Sequence, residues 1–319
     1  MKTKNKTILF AHWGCEDKTM YPYQNWFEPL KKAFKKVILF DPRKNYFQYG
    51  KQEMNEMFLN LVRKTKPDVI FFCFVYDEFY LETFDKIRLI LPKVKLLNYN
   101  SDDSWRFNDY TRYTSLFMDY FLVPPYKDIK KKMKKEGIKN YFISFGVNTK
   151  HFKPLILNKT ADVSFIGSAS KTRANYLKFL IKNRIKVCIY GKGWESYPSL
   201  KRYYYGSLND KVWTEIVNKT RINLCFSESG GKNPQLKGRP FEIGACKSFI
   251  LVGYAEDYKE CLKEGKEIIM FKGKQDLLKK IKFYLKNEKI REKIAENAYK
   301  KIISKYTVDG DIKRIFEKI

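Results

Sequence analysis

Short apolar runs alternate with helical stripes along the whole chain. Each run consists of nearly continuous apolar residues, which is typical of a strand buried on both faces of a parallel sheet. In the first half these runs are Thr7–Ala11, Val37–Phe40, Val69–Val75, Lys95–Tyr99, Phe121–Val123 and Tyr141–Ser144. In the second half they are Asp162–Ile166, Lys186–Tyr190, Ile222–Phe226 and Phe249–Val252.

Between these runs, apolar residues recur at the spacing of one helix face. The clearest example runs from Met54 to Val62. Further helices are predicted at Tyr126–Glu136, Ala174–Ile181, Val212–Asn218 and Pro240–Cys246. Two more stripes follow near the C-terminus, and Asn287 is expected to cap the second of them. The alternation predicts an α/β protein with two units, each with a parallel sheet covered on both faces.

Composition supports a folded protein with two domains. The chain has 319 residues, of which 44% are hydrophobic and 17% aromatic, so it can form two real cores. Its six cysteines show no CxxC spacing and are expected to be free thiols in a reducing compartment. The first residues do not resemble a signal peptide, and no apolar run approaches the ~20 residues that span a bilayer. We therefore expect a cytoplasmic protein, with membrane contact at most peripheral on the inner face.

The net charge of +29 favours phosphate-rich partners. Nucleic acids, anionic membranes and nucleotide substrates all fit such a field, whereas solvated lysine-rich helix faces are the alternative. The lysine-dense segment Lys127–Lys135 could contact anionic lipid or simply face water. Because no helix-turn-helix, RNP or zinc pattern is present, no specific binding of nucleic acid is expected.

The segments that follow strands are the candidate site, because ligands in open α/β sheets bind beyond the carboxyl ends of the strands. In the most informative of them, Lys237 and Arg239 precede a helix whose first turn begins with Pro240. Such a helix start attracts anions, and Glu242 could accept hydrogen bonds from a diol such as a ribose. Alternatively, Glu242 only complements the helix dipole and the two bases are solvated.

Two further turns carry small and basic residues. In the first, Gly167 and Ser168 end a strand and Lys171 and Arg173 follow at a helix start. Small residues let a phosphate approach the backbone and the bases neutralise it, although ordinary strand–helix turns carry similar residues. The second turn is Gly191-Lys192-Gly193, followed by Trp194, which could stack on a base or belong to the core.

Three residues of the first half are candidate catalytic groups. Asp102 and Asp103 follow a strand and could act as a general base, bind sugar hydroxyls, hold a metal or cap the next helix. His12 follows the first strand and could be a base near neutral pH, or a structural histidine. The chain has no GxSxG, HExxH, P-loop or clustered His/Cys set, so hydrolase, zincin and NTPase functions lack support.

Six segments taken in order resemble the CgeB-like glycosyltransferases, whose C-terminal half belongs to the broader group-1 glycosyltransferase superfamily. They are Asn100–Phe107, Phe145–Pro154, Ser164–Arg173, Tyr190–Trp194, Lys237–Val252 and Lys305–Thr307. The resemblance implies a GT-B fold, with two Rossmann-like doubly wound domains and an interdomain cleft. It implies an acceptor domain at residues 1–150, a nucleotide-sugar-binding domain at 151–304, and a terminal helix at 305–319 that packs back on the first domain.

The resemblance also implies roles for the candidate residues. Glu242 matches the glutamate that holds the ribose of a nucleotide-sugar. Arg239, with Lys237 nearby, matches the position that contacts the diphosphate, and Gly167, Ser168 and Arg173 match the loop that faces the phosphates. The reaction expected is transfer of a hexosyl or related group to a cell-surface glycan, a lipid-linked glycan or a protein. Neither a cofactor nor a metal is expected.

One position departs from the resemblance. Many retaining members carry a second glutamate eight residues before the ribose-binding one, and here Pro234 stands at that position. Both stereochemical outcomes therefore stay open: inversion, with Asp102, Asp103 or His12 as base, or front-face retention. A catalytically inactive relative and a basic nucleic-acid-binding protein are the alternative functions.

Overall fold

The computed structural model describes residues 2–18, 22–74, 77–100, 103–228 and 234–319. The chain divides into two compact units. The first unit comprises Met1–Gly146 together with Val308–Ile319, and the second comprises Val147–Thr307. The C-terminal segment thus belongs to the first unit, although it follows the second unit in the sequence.

The first unit is built on a six-stranded sheet in which all neighbouring strands are parallel. Its strands are β1 (Thr7–Ala11), β2 (Lys36–Phe40), β3 (Val69–Cys73), β4 (Lys95–Tyr99), β5 (Tyr120–Val123) and β6 (Tyr141–Ile143). They lie in the order β2-β1-β3-β4-β5-β6. The chain therefore winds to one side of β1 and then to the other, and the direction reverses between β1 and β3.

The second unit repeats this plan with a five-stranded parallel sheet. Its strands are β7 (Ala161–Ile166), β8 (Val187–Tyr190), β9 (Thr220–Cys225), β10 (Ile250–Gly253) and β11 (Ile269–Phe271). They lie in the order β11-β10-β9-β7-β8, so the reversal falls between β7 and β9. Such reversals are where open α/β sheets bind their ligands.

Helices connect the strands and cover the sheets. The α-helices are α1 (Glu28–Ala33), α2 (Pro42–Thr65), α3 (Leu81–Ile90), α4 (Asp103–Arg106), α5 (Arg112–Thr114), α6 (Ile129–Lys135), α7 (Lys171–Lys182), α8 (Asp210–Lys219), α9 (Arg239–Ala245), α10 (Gly273–Lys286), α11 (Glu288–Lys305) and α12 (Val308–Phe316). Shorter π and 3-10 segments lie at Lys2–Asn5, Tyr23–Phe27, Phe107–Thr111, Ser115–Phe117, Trp194–Ser196, Pro198–Tyr203 and Glu256–Glu260. Within the described ranges, no helix is long and apolar enough to cross a membrane.

Large apolar side chains fill the space on both faces of each sheet. In the first unit, Phe10 and Phe71 pack on one face and Phe58 and Phe72 on the other. On the first of these faces, the α12 side chain Phe316 meets Phe34 edge-on, with the ring centroids 4.8 Å apart. The prediction of two α/β units with parallel sheets is therefore confirmed.

Several local predictions need correction. β11 (Ile269–Phe271) was not predicted, although Ile268–Phe271 is a continuous apolar run. The predicted helix Tyr126–Glu136 is shorter and spans Ile129–Lys135. Asn287 stands before α11, but its side chain makes no cap there. Instead its Nδ2 donates to the carbonyl of Phe283 at 2.8 Å, so it closes the preceding helix. All six cysteines are free thiols.

Candidate functional site

The carboxyl edge of the second sheet brings two of the predicted segments together. β7 ends at Ile166 and leads into Gly167 and Ser168, whereas β9 ends at Cys225 and leads towards Glu228. These strands are neighbours, and the winding direction reverses between them. Where the strand order of an open α/β sheet reverses, the connections that follow the two neighbouring strands run to opposite faces of the sheet. The crevice between these connections can hold a ligand.

The two glycine turns pack directly against each other. The Gly167 N–H donates to the carbonyl of Tyr190 at 2.9 Å. The backbone of Gly191 has φ +124°, and a Cβ there would overlap the Gly167 carbonyl. The indole Nε1 of Trp194 donates to that same carbonyl at 2.8 Å. Trp194 is fully buried, so it is a core residue that holds the turn in place through this hydrogen bond.

Arg173 is held at this edge by three contacts. Ser170 caps α7, and its Oγ accepts from the Arg173 N–H at 3.2 Å. One terminal nitrogen of Arg173 donates to the Ser168 carbonyl at 2.7 Å. Its Nε lies 2.9 Å from Oε2 of Glu228 in an ion pair. The guanidinium is therefore fixed beside the Gly167–Ser168 turn. Lys171 and Lys192 were also predicted to bind the donor. Lys171 lies two residues before Arg173, and the Lys192 carbonyl accepts from the Ala169 N–H at 2.9 Å; both lysine side chains are exposed.

Glu228 is a functional candidate that the sequence did not single out. Its Oε2 also accepts from the Ser170 hydroxyl at 3.1 Å, while its Oε1 is buried and has no hydrogen-bond partner in the described part of the chain. Its significance depends on the contact with Arg173, which no local sequence pattern shows. The adjoining residues 229–233 lie outside the described ranges.

Arg239 and Glu242 form an ion pair at the start of α9. Arg239 Nε lies 3.2 Å from Glu242 Oε2, and the side chains are 39% and 10% exposed. The Arg239 guanidinium also lies over the Trp213 ring, 5.3 Å from its centroid. In the described ranges, no acceptor bonds to its two terminal nitrogens. Because α9 has seven residues, the charge of Arg239 outweighs the helix dipole as a source of attraction for anions.

The approach to α9 is fixed by hydrogen bonds from its backbone. The Lys237 N–H donates to the hydroxyl of Tyr258 at 3.1 Å, and the Leu236 N–H donates to Asp257 Oδ2 at 3.2 Å. Burial raises the pKa of Tyr258 well above its usual range, so this hydroxyl stays neutral. The Lys237 side chain is half-buried. Lys237 thus precedes α9 on a firmly held segment, whereas Arg239 was predicted to precede the helix and is instead its first residue.

Of the three predicted catalytic residues, the structure describes one completely. The ring of His12, which follows β1 at the reversal of the first sheet, is 8% exposed. Its Nδ1 lies 2.8 Å from the carbonyl of Trp13, which fixes the proton on that nitrogen. Burial lowers the pKa of His12 to about 4. The ring is therefore neutral at pH 7 and a weak base.

The structure describes less of the two predicted aspartates. Asp102 lies outside the described residues. Asp103 begins α4, and its side chain also lies outside what the structure describes. Across the described ranges, no group of three or more His, Cys, Asp or Glu side chains is placed to hold a metal ion. The roles of His12, Asp102 and Asp103, and the absence of a metal, stay predictions.

Comparison with known proteins agrees with this arrangement. Residues 173–317 match the sequence model of a family described as glycosyl transferase-like. That stretch contains Arg173, Glu228, Arg239 and Glu242. No curated protein matches the chain.

The fold is similar to those of several solved structures. HepE from Anabaena, in complex with UDP and glucose, has a TM-score of 0.68 at 11% identity, with 99% of this chain and 100% of that one covered. Sucrose-phosphate synthase from Thermosynechococcus elongatus has a TM-score of 0.71 at 10% identity, with 98% and 99% covered. A putative UDP-N-acetylglucosamine 2-epimerase from Listeria monocytogenes has a TM-score of 0.61 at 12% identity, with 99% and 98% covered.

These matches define the class of fold. The two Rossmann-like parallel-sheet units are those of the GT-B glycosyltransferases. The match to the narrower CgeB-like group stays a prediction. Because the putative epimerase shares the fold, the reaction has to be argued from the site.

Proposed function

We propose that this protein is a glycosyltransferase that takes its sugar from a nucleoside-diphosphate donor bound by the second unit. The Arg239–Glu242 ion pair at the start of α9 carries the proposal. It places a cation for a diphosphate and a nearly buried carboxylate for a diol within 3.2 Å of each other. A nucleoside diphosphate offers the complementary pair of groups, the diphosphate beside the ribose hydroxyls.

Each donor-binding residue then has a distinct role. Glu242 accepts hydrogen bonds from the ribose hydroxyls, and Arg239 orients its carboxylate through Nε. The terminal nitrogens of Arg239, with Lys237, bind the diphosphate. Arg173 and the backbone of Gly167 and Ser168 provide a second set of phosphate contacts, because they lie together at the end of β7. Gly191 permits the close approach of the two turns, and Lys171 and Lys192 add positive charge around them.

The proposed reaction replaces one C–O bond of the sugar by another. The bond between the anomeric carbon and the diphosphate breaks, a bond to the acceptor oxygen forms, and the acceptor proton passes to a base. Negative charge grows on the departing diphosphate, where fixed cations stabilise it most. Arg239, Lys237 and Arg173 would supply that stabilisation without a metal.

The three residues predicted from the sequence remain the candidates for the catalytic base. At pH 7 His12 is neutral and can accept a proton through Nε2, but a pKa of about 4 makes it weak. Asp102 and Asp103 are the other candidates for the base of an inverting reaction. If none of the three is needed, front-face retention is the mechanism to test.

The first unit is assigned to the acceptor, which we propose to be a glycan, a lipid-linked glycan or a protein. Its α6 carries a lysine-rich surface that suits an anionic membrane. Ile129 and Met133 of that helix are buried, whereas Lys130, Lys131 and Lys134 are exposed. This peripheral contact is the way in which a lipid-linked acceptor would be reached.

The first experiment is a binding panel. Nucleoside diphosphates and nucleotide-sugars, starting with UDP and UDP-glucose, are tested by thermal shift on the wild type, Glu242→Gln and the exposed control Glu260→Gln. A ligand that binds the native state raises the melting temperature by mass action. We expect a shift with one nucleotide that is lost in Glu242→Gln and kept in Glu260→Gln.

The reaction is then followed by NMR with the nucleotide-sugar that binds. Release of the nucleoside diphosphate with the sugar on water or an added acceptor supports transfer. Inversion of a sugar carbon in an intact donor would replace the proposal with epimerisation. If no nucleotide shifts a folded protein, the donor site is wrong, and inactive or nucleic-acid-binding functions take its place.

A further inference from the structure

The opposite edge of the second sheet contains a basic cavity. It has a volume of about 650 Å³, within the range usual for small-molecule sites. Six basic side chains line it, together with two glutamates and an apolar floor of Phe249 and Ala295. The bases are Lys159, Arg221, Lys247, Lys289, Arg291 and Lys293.

This cavity is separate from the candidate donor site. Lys159 precedes β7, Arg221 lies near the start of β9, and Lys247 precedes β10. All three therefore lie at the amino ends of the strands, whereas Gly167 and Glu228 follow the carboxyl ends. A six-residue strand such as β7 is about 20 Å long, so one ligand does not reach both edges.

Two of the bases are held inside the cavity by backbone carbonyls. Lys159 Nζ donates to the carbonyls of Asn218 at 2.7 Å and Thr220 at 3.1 Å. Arg291, whose residue is 4% exposed, donates through one terminal nitrogen to the Tyr284 carbonyl at 2.6 Å. These contacts fix the positions of the charges before any ligand arrives, which lowers the entropic cost of binding.

Positive charge exceeds negative charge around the cavity. Arg221 pairs with Asp162 at 3.1 Å, Arg291 pairs with Glu288 at 3.0 Å, and Lys247 pairs with Glu296. Even with Asp162 and Glu288 added to the lining glutamates Glu292 and Glu296, six bases face four acids.

The neighbouring bases affect the pKa of Lys159. Burial, and then the Arg291 guanidinium, lowers the pKa of Lys159, and Arg221 adds to the effect. Lys289 and Lys293, four residues apart on one face of α11, form no ion pair within the described ranges and stand exposed at the cavity. An anion that enters here relieves repulsion among fixed cations.

We propose that this cavity is a second binding site, which takes a small molecule bearing a di- or triphosphate. The fixed inner cations Lys159 and Arg291 suit a multiply charged anion, and Lys289 and Lys293 would close over it from α11. The apolar floor and the volume leave room for an organic group beyond the phosphates.

The test is a calorimetric titration with inorganic diphosphate at fixed ionic strength. Four proteins are compared: wild type, the double variant Lys289→Gln/Lys293→Gln, the control Lys279→Gln/Lys282→Gln, and Arg239→Gln. The control removes two exposed lysines of the neighbouring α10 that do not line the cavity. All variants are checked for native melting curves.

We expect the cavity variant to bind diphosphate about tenfold more weakly at the cavity and the control pair to bind like the wild type, whereas Arg239→Gln should lose only the binding at the proposed donor site and keep that at the cavity. Loss in Arg239→Gln with retention in the cavity variant would place the diphosphate at the donor site and overturn the proposal. Equal loss in the control pair would mean unspecific attraction and would also overturn it.

Two further results are decisive. No binding of diphosphate to the wild type would sink the proposal. Binding to phosphatidylglycerol vesicles that depends on Lys289 and Lys293, without binding of the free anion, would replace it by a lipid-surface role. Binding at the cavity is read from the change caused by Lys289→Gln/Lys293→Gln, and binding at the donor site from the change caused by Arg239→Gln, so failure of this proposal and failure of the proposed function are distinguishable.

Discussion

Oε2 of Glu228 lies 2.9 Å from Nε of Arg173, so a carboxylate already occupies the guanidinium that is assigned to phosphate binding. The Ser170 hydroxyl donates to the same oxygen at 3.1 Å. Glu228 therefore positions Arg173. At the same time its negative charge offsets the positive charge that Arg173 presents to a phosphate. This pairing links the ends of β7 and β9, the two strands that border the reversal of the second sheet.

This relationship predicts opposite effects for its two partners. Arg173→Gln removes a charge-assisted contact and should weaken the binding of the nucleoside diphosphate about tenfold. Glu228→Gln keeps the shape, releases the guanidinium for the phosphates and should tighten binding a few-fold. Both affinities are measured by calorimetry with the nucleotide found in the thermal-shift panel.

Lys182→Gln is the matched control, because it removes an exposed cation from the other end of α7. Its affinity should equal that of the wild type. Weaker binding in Glu228→Gln would show that the carboxylate contacts the ligand or is needed to hold Arg173, and the competitive role would be wrong.

The contact of the two glycine turns predicts a large effect of one added methyl group. A Cβ on residue 191 would overlap the Gly167 carbonyl, whereas at Gly265, which also has positive φ, no atom lies within 4 Å of the added Cβ. Gly265→Ala should therefore cost about 1–2 kcal/mol from backbone strain. Gly191→Ala should cost at least about 2 kcal/mol more, because the backbone has to move.

Melting temperatures of the two variants check this prediction. Both substitutions place an alanine at positive φ, +124° at residue 191 and +76° at residue 265, so the difference between them combines the overlap with Gly167 and the greater backbone strain at residue 191. Gly191→Ala should also lose affinity for the nucleotide, and Gly265→Ala should keep it. Equal melting temperatures would contradict the close approach of the two turns.

Much of the fold could be predicted from the sequence because burial on both faces leaves an unmistakable pattern. Continuous runs such as Thr7–Ala11 and Lys95–Tyr99 are found as strands with the same limits. The apolar run of β11, Ile268–Phe271, carries the same signal as the predicted run Phe121–Val123 and was overlooked. Asn287 was misread because an asparagine between two helices can bond to either, and local geometry decides.

The candidate site could be predicted less completely. Arg239 and Glu242 were found because basic residues beside Pro240 and a carboxylate in the first turn indicate a helix start that attracts anions. Glu228 was missed, since its significance depends on Arg173, 55 positions earlier in the sequence, and no local pattern records such a contact. The low pKa of His12 was likewise not predictable, because it follows from burial that only the folded unit creates.

His12 predicts a dependence of stability on pH. Its pKa lies at about 4 in the folded protein against 6.5 for the free side chain. The unfolded chain therefore binds more protons between these values, and the contribution of His12 is complete above pH 6.5 and lost as pH falls to about 4. The shift corresponds to about 3 kcal/mol.

Denaturant titrations of the wild type and His12→Gln between these pH values test the prediction. The difference in free energy of unfolding between wild type and His12→Gln should grow as pH rises. A constant difference for His12→Gln would mean that the ring is protonated in the folded state or is not buried.

Asp311 predicts the opposite slope in nearly the same window. Burial raises the pKa of this α12 carboxyl from 3.8 to about 6, even though it accepts from Ser144 at 2.8 Å and pairs with Arg314 at 2.7 Å. The folded protein therefore binds more protons than the unfolded chain, and the contribution of Asp311 is complete below pH 3.8 and lost as pH rises through about 6. The contributions of His12 and Asp311 to the slope oppose each other, and both residues belong to the same unit. In Asp311→Asn only the contribution of His12 remains of the two.

The free energy of unfolding of the wild type relative to Asp311→Asn should fall by about 3 kcal/mol across the window. A relative stability that rises with pH would show that the bonds from Ser144 and Arg314 outweigh burial.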